Sequence, residues 1–292
     1  MWSKSRVIAG AIVPGLVVVG VLAGCSASES DSSTSAVASP EISMSEAPPA
    51  AALSITQVEL AETIDHVHGL VASTADSVIA GTHSGARAIS RSGEVSPAGD
   101  ARDDLMGMTG EAGTQRLASS GHPGPDSPWP NPVGLIVSED AGGTWTPVSL
   151  QGEVDFHALA ISGSDVVGYG GGPGVMVSQD GGETWQDGAQ IQPAALAISK
   201  GRVLATTQSG LQVSTDGGSS FSDVVGAPLL VFISAGTDAT VLGLDPESNV
   251  WSSADRGGTW TKVGAAPEAQ AVAAAANGGG YAVNQETLYV VK

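Results

Sequence analysis

The chain has 292 residues, with 11 Lys and Arg against 30 Asp and Glu, so its formal net charge is −19. Because phosphate backbones are bound by clustered cations, this excess of acids argues against a nucleic-acid partner. The single cysteine, Cys25, excludes an intrachain disulfide. The 40 glycines and 16 prolines, with few helical patterns, predict an all-β domain that is rich in turns.

The beginning of the chain has the features of a secretory signal peptide over residues 1–24. Lys4 and Arg6 form a short basic segment, and the apolar run of residues 7–23 follows them. Leu-Ala-Gly directly before Cys25 resembles a bacterial lipobox, which implies that Cys25 is lipidated and becomes the first mature residue. We therefore expect an extracytoplasmic lipoprotein anchored to the bacterial cell membrane, with a plain signal peptide and a coincidental cysteine as the alternative.

Residues 25–54 are rich in Ser, Ala, Pro and Glu, and they contain too little large apolar surface to build a core. This composition predicts a disordered tether between the lipid and a folded domain. Residues 55–292 remain, a length that suits one large β domain rather than two small ones.

Four segments between residues 138 and 260 share the pattern Ser-x-Asp-x-Gly-x-x-Trp or Phe. Their aspartates are Asp140, Asp180, Asp216 and Asp255. Their first serines, at positions 138, 178, 214 and 253, lie 40, 36 and 39 residues apart. Asp in a tight turn bonds the backbone two residues on, Gly supplies a positive φ, and the aromatic residue covers the hairpin. A period of about 40 residues with strands and turns predicts propeller blades.

These segments resemble the Asp-box, or BNR repeat, of sialidase-like propellers. In that family the Asp-box is a structural hairpin remote from the active face, which implies a structural role for the four aspartates. Exported bacterial Asp-box propellers labelled glycosyl hydrolase-like or sialidase-like are also similar in four shorter segments, His66-Val-His-Gly-Leu, Gly81-Thr-His-Ser-Gly, Ser120-Gly-His-Pro and Asp155-Phe-His-Ala-Leu. That label follows fold similarity, which does not define function.

The repeat predicts six blades of four strands each, counted from the axis outward. Innermost strands are expected at residues 66–73, 105–110, 156–162, 194–199, 229–234 and 270–275. The sixth blade lacks a fourth strand after residues 287–291, and the unpaired strand of residues 55–60 would supply it and close the ring. The sequence therefore predicts an all-β, six-bladed β-propeller with Asp-box hairpins, closed by its N-terminal strand.

All five histidines fall within the first three predicted blades. They are His66, His68, His83, His122 and His157. The start of a first strand and the end of a second strand meet at the same face of an up-and-down blade. We therefore expect the five imidazoles to gather in one sector of one propeller face.

In an alignment of the innermost strands, His68, Met106 and His157 are equivalent. Two residues before this position, blade two has Asp104 and blade three has Asp155. Residues two apart share a strand face. Imidazole with thioether favours copper, and imidazole with carboxylate suits zinc. A copper or zinc site formed by the five histidines and Met106 is therefore predicted, with ordinary strand starts and turns as the alternative.

True sialidases use an arginine triad, a tyrosine nucleophile assisted by a glutamate, and an acid aspartate. No arginine of the mature chain begins an innermost strand in a matching motif, so sialidase activity is not expected. A different glycoside hydrolase would need two carboxylates about 5–10 Å apart, for which Asp104 and Asp155 are candidates, with Asp65 in reserve. Solvated turn acids are the alternative reading of these residues.

Three functions remain open from the sequence. The first is a membrane-anchored binding protein with a His/Met/Asp metal site, the second a glycoside hydrolase or glycan-binding protein, and the third a scaffold for another exported protein. The Pro-rich insertion of residues 123–132 carries Trp129, the candidate for stacking on a sugar. The ligand would be a metal ion or a glycan, and the chain is expected to act as a monomer.

Overall fold

The computed structural model describes residues 53–74 and 77–292, which form a six-bladed β-propeller. Each blade is a four-stranded sheet, and the described residues contain no helix, so none there is long and apolar enough to cross a membrane. The predicted fold class is therefore confirmed. The predicted signal peptide (1–24), Cys25 and the predicted tether up to residue 52 lie outside the described residues.

The first strand of the described chain, β1 (Ile55–Glu59), precedes blade one and belongs to the last blade. Blade one contains, from the axis outward, β2 (Val67–Ala72), β3 (Ser77–Thr82), β4 (Gly85–Ser90) and β5 (Val95–Pro97). Blade two begins with β6 (Asp104–Leu105), β7 (Thr109–Gly110), β8 (Leu117–Ser119) and β9 (Gly121–His122), and it ends with β10 (Leu135–Ser138) and β11 (Thr146–Ser149). Blade three contains β12 (Ala158–Ser162), β13 (Asp165–Tyr169), β14 (Met176–Ser178) and β15 (Gln186–Asp187).

The remaining blades complete the ring. Blade four contains β16 (Ala195–Ser199), β17 (Arg202–Thr207), β18 (Gly210–Ser214) and β19 (Ser222–Asp223). Blade five contains β20 (Phe232–Ala235), β21 (Val241–Leu244), β22 (Asn249–Ser253) and β23 (Thr261–Ala265). Blade six contains β24 (Ala271–Ala274), β25 (Gly280–Val283) and β26 (Thr287–Val291), with β1 as its outermost strand. The predicted closure by the N-terminal strand is confirmed.

The innermost strand of blade two differs from the continuous strand predicted over residues 105–110. A turn at Met106 and Gly107 divides it, so that β6 pairs with β9 and β7 pairs with β8. Gly107 lies against the backbone of blade three, where a Cβ would come within 2.1 Å of the carbonyl oxygen of Phe156. This close approach bends the strand, and only glycine permits it.

The hydrophobic core of the propeller lies between its blades. Because successive residues of a strand point to opposite faces, each inner strand packs against both neighbouring blades. In β2, Leu70 and Ala72 face blade six, whereas Val71 faces blade two. The buried apolar side chains of the described residues form six clusters, one between each pair of adjacent blades. The stability of each blade therefore depends on both of its neighbours.

In each Asp-box hairpin the aspartate side chain holds the turn. Asp140 accepts hydrogen bonds of 2.8 Å from the hydroxyl of Ser138 and from the backbone N–H and hydroxyl of Thr144. Equivalent bonds recur at Asp180, Asp216 and Asp255. The hydroxyl and backbone N–H of Thr184 lower the pKa of Asp180 to about 2, so this carboxylate is ionised at neutral pH.

The aromatic residue and the glycine of an Asp-box tie it to the preceding blade. Trp145 packs in the cluster between blades one and two, and Trp185 packs in the cluster between blades two and three. Gly182, with φ of 92°, lies against Leu135 of the preceding blade, where a Cβ would come within 2.1 Å of the Leu135 side chain. These contacts agree with the structural role predicted for the hairpins.

Candidate metal centre

Three polar side chains converge at one face of blades one and two. His68 lies in β2, His83 directly follows β3, and Asp104 begins β6. Because β2 and β3 are antiparallel, with Val67 opposite Thr82, the start of β2 and the end of β3 lie at the same face. The bent inner strand of blade two adds Asp104 to this face, and the three residues form what we call the His-His-Asp group.

The potential ligand atoms of the His-His-Asp group have the spacing that a metal ion requires. Nδ1 of His83 lies 3.3 Å from Nε2 of His68 and 3.0 Å from Oδ1 of Asp104, and the last two atoms are 3.7 Å apart. A tetrahedral zinc ion with bonds of about 2.0–2.1 Å holds its ligand atoms about 3.3 Å apart. The group is therefore a possible metal-binding set that forms one face of a tetrahedron.

The small number of hydrogens available to the three ligand atoms also favours a cation between them. Nδ1 of His83 lies within hydrogen-bonding distance of both His68 and Asp104, yet one imidazole nitrogen carries at most one hydrogen. Burial, followed by the neighbouring His83, lowers the pKa of His68, while Asp104 acts in the opposite direction. His68 is therefore neutral at neutral pH, and a neutral imidazole has a lone pair available for a metal ion.

His66 and Asp65 lie beside the His-His-Asp group. The ring of His66 is exposed, and its centroid lies 4.8 Å from that of His68 and 5.8 Å from that of His83. Asp65 accepts a hydrogen bond from the hydroxyl of Ser84. The structure thus places His66 next to the convergent atoms rather than among them, and it ties Asp65 to the turn that follows His83.

The other two histidines form a second group with Asp155, which we call the His-Asp-His group (His122, Asp155 and His157). Oδ2 of Asp155 lies 3.5 Å from Nε2 of His122 and 3.3 Å from Nε2 of His157. Nδ1 of His122 lies 2.8 Å from Oδ1 of Asn131, which was not among the predicted site residues. The one indication of Asn131 in the sequence is its position near the end of the Pro-rich insertion of residues 123–132. The predicted residues thus lie in two groups instead of one.

Other predicted participants have packing contacts. Met106 is half-buried, its backbone N–H donates to the carbonyl of Ser120, and its role as a sulfur ligand stays a prediction. Met108 belongs to the core between blades one and two. Trp129 is half-buried and packs against the same core, so part of the surface expected to stack on a sugar is already covered.

A cavity of about 290 Å³ lies along the propeller axis and is lined by the innermost strands of all six blades. His68 and His157 line it at the face where these strands begin, and Glu111, Lys200 and Thr237 line it at the face where they end. Between the two ends the lining is mostly Ala, Gly, Leu and Ile. A small molecule that enters from the histidine face therefore meets an imidazole from each group.

Fold and site together define a six-bladed β-propeller with Asp-box hairpins and a convergent His-His-Asp group on one face. Residues 176–187, which contain the second of the four hairpins, match the family model for the BNR/Asp-box repeat. The predicted repeat type is thereby confirmed. No curated protein sequence matches the chain at a significant level.

Several solved structures share the fold at low sequence identity. A protein of unknown function from Bacteroides thetaiotaomicron matches with a TM-score of 0.61 and 12% identity, over 82% of this chain and 76% of that one. A gluconolactonase from Xanthomonas campestris matches with a TM-score of 0.61 and 12% identity, over 81% of this chain and 89% of that one. A GH74 enzyme from Niastella koreensis matches with a TM-score of 0.51 and 14% identity, over 78% of this chain and 43% of that one. At these identities the similarity shows the fold alone.

Proposed function

We propose that this protein binds a divalent transition-metal ion through His68, His83 and Asp104. The observation that carries the proposal is the spacing of their three ligand atoms, which ranges from 3.0 to 3.7 Å. Two imidazoles and a carboxylate suit zinc, whereas copper binds the same donors tightly and would gain from a sulfur ligand such as Met106. Zinc is the first choice for this donor set, and copper is the alternative.

Zinc binding by the full chain will depend on the His-His-Asp group. Asp104→Asn and His68→Ala each remove one of three ligands, so each is expected to weaken binding there by at least about 100-fold and to release one equivalent of zinc. Asp187→Asn, which neutralises an exposed carboxylate at the edge of blade three, is the matched control. Competition with a chromophoric chelator and elemental analysis measure both quantities. If both ligand variants keep the wild-type affinity and stoichiometry, the site does not exist.

We also propose that the propeller is displayed outside the cell membrane on a lipid attached to Cys25. The support is the basic and apolar start of the chain and the Leu-Ala-Gly that precedes Cys25. Cells that express the full chain are expected to incorporate labelled palmitate into it, and Cys25→Ala is expected to abolish the label. Mass spectrometry that finds an unmodified Cys25 in membrane-associated protein would overturn the proposal.

A second candidate function is metal-assisted hydrolysis of a small lactone or glycoside. It is favoured by one observation, that His68 of the metal site also lines the axial cavity of about 290 Å³. A zinc ion held by His68, His83 and Asp104 would supply Lewis-acid chemistry and would activate water near neutral pH. The fold shared with a gluconolactonase makes lactones the first class to test.

In a metal-assisted hydrolase, Asp104 and Asp155 would have a role different from the one predicted from the sequence. Asp104 and Asp155, predicted as a glycosidase pair, each face two histidines, which suits metal ligands better than general acids. A panel of lactones and aryl glycosides, incubated with the zinc-loaded full chain, is expected to show turnover that Asp104→Asn loses. Equal rates for the wild type and Asp104→Asn on every substrate would reject a metal-assisted hydrolase.

A further inference from the structure

The wall of the axial cavity is formed by the free edges of six strands. The residues that line it come largely from the innermost strands β2, β7, β12, β16, β20 and β24. Each of these is the terminal strand of its four-stranded sheet, so it is hydrogen-bonded to a neighbouring strand on one side only. In an antiparallel sheet, alternate residues of such a strand direct both N–H and C=O away from the sheet. The wall therefore presents backbone donors and acceptors to the interior of the cavity.

The side chains of the wall leave much of this backbone accessible. Gly and Ala are its commonest residues, and neither has a side chain large enough to cover a strand edge. Among the described residues that line the cavity, Phe232 is the one aromatic residue besides the two histidines. A ligand in the cavity is therefore held by hydrogen bonds more than by stacking on aromatic rings.

Two hydroxyl groups add to the polar character of the middle of the cavity. Thr109 of β7 and Ser234 of β20 both line it, and both are half-buried. Oγ of Ser234 accepts a hydrogen bond of 3.0 Å from the backbone N–H of Ala274. A hydroxyl can donate one hydrogen bond while it accepts others, so that of Ser234 can still donate to a ligand.

The charged side chains of the lining lie at one end. Glu111 and Lys200 line the cavity at the face opposite the histidines. The carboxylate of Glu111 already accepts hydrogen bonds from Arg116, at 3.0 Å, and from the backbone N–H of Gly163, at 2.8 Å. Between the two ends the described lining is uncharged. A charged ligand would lose its hydration there without gaining an opposite charge, whereas a neutral polar ligand would exchange water for the groups of the wall.

We propose that the axial cavity binds a small neutral molecule with many hydroxyl groups, of the size of a monosaccharide or a cyclic polyol. Each hydroxyl both donates and accepts, which matches a wall that carries N–H, C=O and hydroxyl groups together. The volume of about 290 Å³ lies at the lower end of the range of about 300–1,000 Å³ that small-molecule sites occupy. The inference goes beyond the proposed metal site, because none of these contacts needs an ion.

NMR titration of the full chain with D-glucose tests this site. The methyl resonances of Leu196 and Ile198, which line the cavity, are expected to shift with ligand concentration. Those of Val225, whose side chain is 94% exposed on the loop before blade five, are expected to stay unchanged. Cyclohexanol, a ring of similar size with a single hydroxyl, is expected to bind at least about 10-fold more weakly because it pairs with few polar groups of the wall. A chelator is present throughout, so the result does not depend on the metal site.

Variants of the wall locate the bound ligand. Thr109→Val removes a hydroxyl and keeps the shape of the side chain, so it is expected to weaken glucose binding by about 2–10-fold. Thr146→Val makes the same change at an exposed position of β11 and is expected to have no effect. Ala195→Leu enlarges a half-buried side chain of the lining and is expected to abolish binding, with circular dichroism to show that the variant folds.

Three results would overturn the proposal. Unchanged glucose binding in Thr109→Val and in folded Ala195→Leu would place the ligand outside the cavity. Equal affinities for glucose and cyclohexanol would show that hydroxyl groups are not what the wall recognises. If neither Leu196 nor Ile198 shifts up to the highest soluble concentration of glucose, the cavity holds water only. The zinc affinity of His68→Ala is a separate measurement, so the metal site and the axial site can fail independently.

Discussion

A chain that begins at residue 61 will not form a stable closed propeller, whereas one that begins at residue 53 will. The difference is β1, which provides the outermost strand of blade six. It pairs with β26 over five residue pairs, from Ile55 opposite Val291 to Glu59 opposite Thr287. Further backbone bonds join Ser54 to Lys292 at 2.8 and 3.0 Å.

Without β1, the chain loses buried apolar surface, and the edge of blade six is no longer covered. Leu60, which directly follows β1, is 7% exposed in the core between blades six and one, and full burial of such a side chain stabilises by about 1.5–3 kcal/mol. Without β1 the mostly buried strand β26 becomes an open edge, which favours pairing with other chains. Because domains are stable by only about 5–15 kcal/mol, these losses together are expected to abolish cooperative folding.

Thermal unfolding followed by circular dichroism, with size-exclusion chromatography, measures this effect. The chain from residue 53 is expected to melt cooperatively as a monomer, and the chain from residue 61 is expected to aggregate or to show no transition. Equal melting temperatures for the two chains would show that the ring does not need its N-terminal strand.

The ring was predictable because the Asp-box is encoded locally. The bonds of Asp140 join residues two to four apart, so their spacing in the sequence marks each hairpin directly. Because the four hairpins lie one blade apart in the sequence, they indicate where the strands of each blade are expected. The break at Gly107 was not predictable in the same way, because it depends on the approach of Phe156 from the next blade.

The propeller face that carries the histidines was predictable from the sequence, but their division into two groups was not. His68, His83 and Asp104 lie at strand ends that meet at one face in any up-and-down propeller. Which of them touch depends on the reach of side chains between adjacent blades, which strand alignment does not provide. Asn131 was missed because the path of the Pro-rich insertion is set by its tertiary contacts, not by a repeat.

Zinc will stabilise the protein at pH 7.5, and this effect will disappear as the pH falls to 5. A ligand that binds only the folded state at 100 times its Kd stabilises it by about 2.7 kcal/mol. For a domain of this size that raises the Tm by roughly 5–10 °C. Imidazole binds a metal only when deprotonated, so protons displace zinc as the pH falls.

The sign of the effect of pH on the metal-free protein follows from His68. Its pKa in the folded protein is lowered from 6.5, first by burial and then by His83. Its contribution to stability is therefore complete above pH 6.5 and is lost as the pH falls through the lower folded pKa. Asp104 raises the pKa of His68, so Asp104→Asn is expected to lower it further.

Asp104→Asn thus separates metal binding from titration of the imidazole. Asp104→Asn is expected to remove the zinc-dependent rise in Tm at every pH. At the same time the titration of His68, followed by NMR, moves to lower pH. Asp187→Asn, which neutralises an exposed carboxylate, is expected to change neither the rise in Tm nor the titration of His68. A rise in Tm that survives Asp104→Asn, or that is equal at pH 5 and pH 7.5, would show that zinc stabilises the protein elsewhere. The two readouts together therefore distinguish a carboxylate that holds a metal ion from one that only accepts a hydrogen bond from His83.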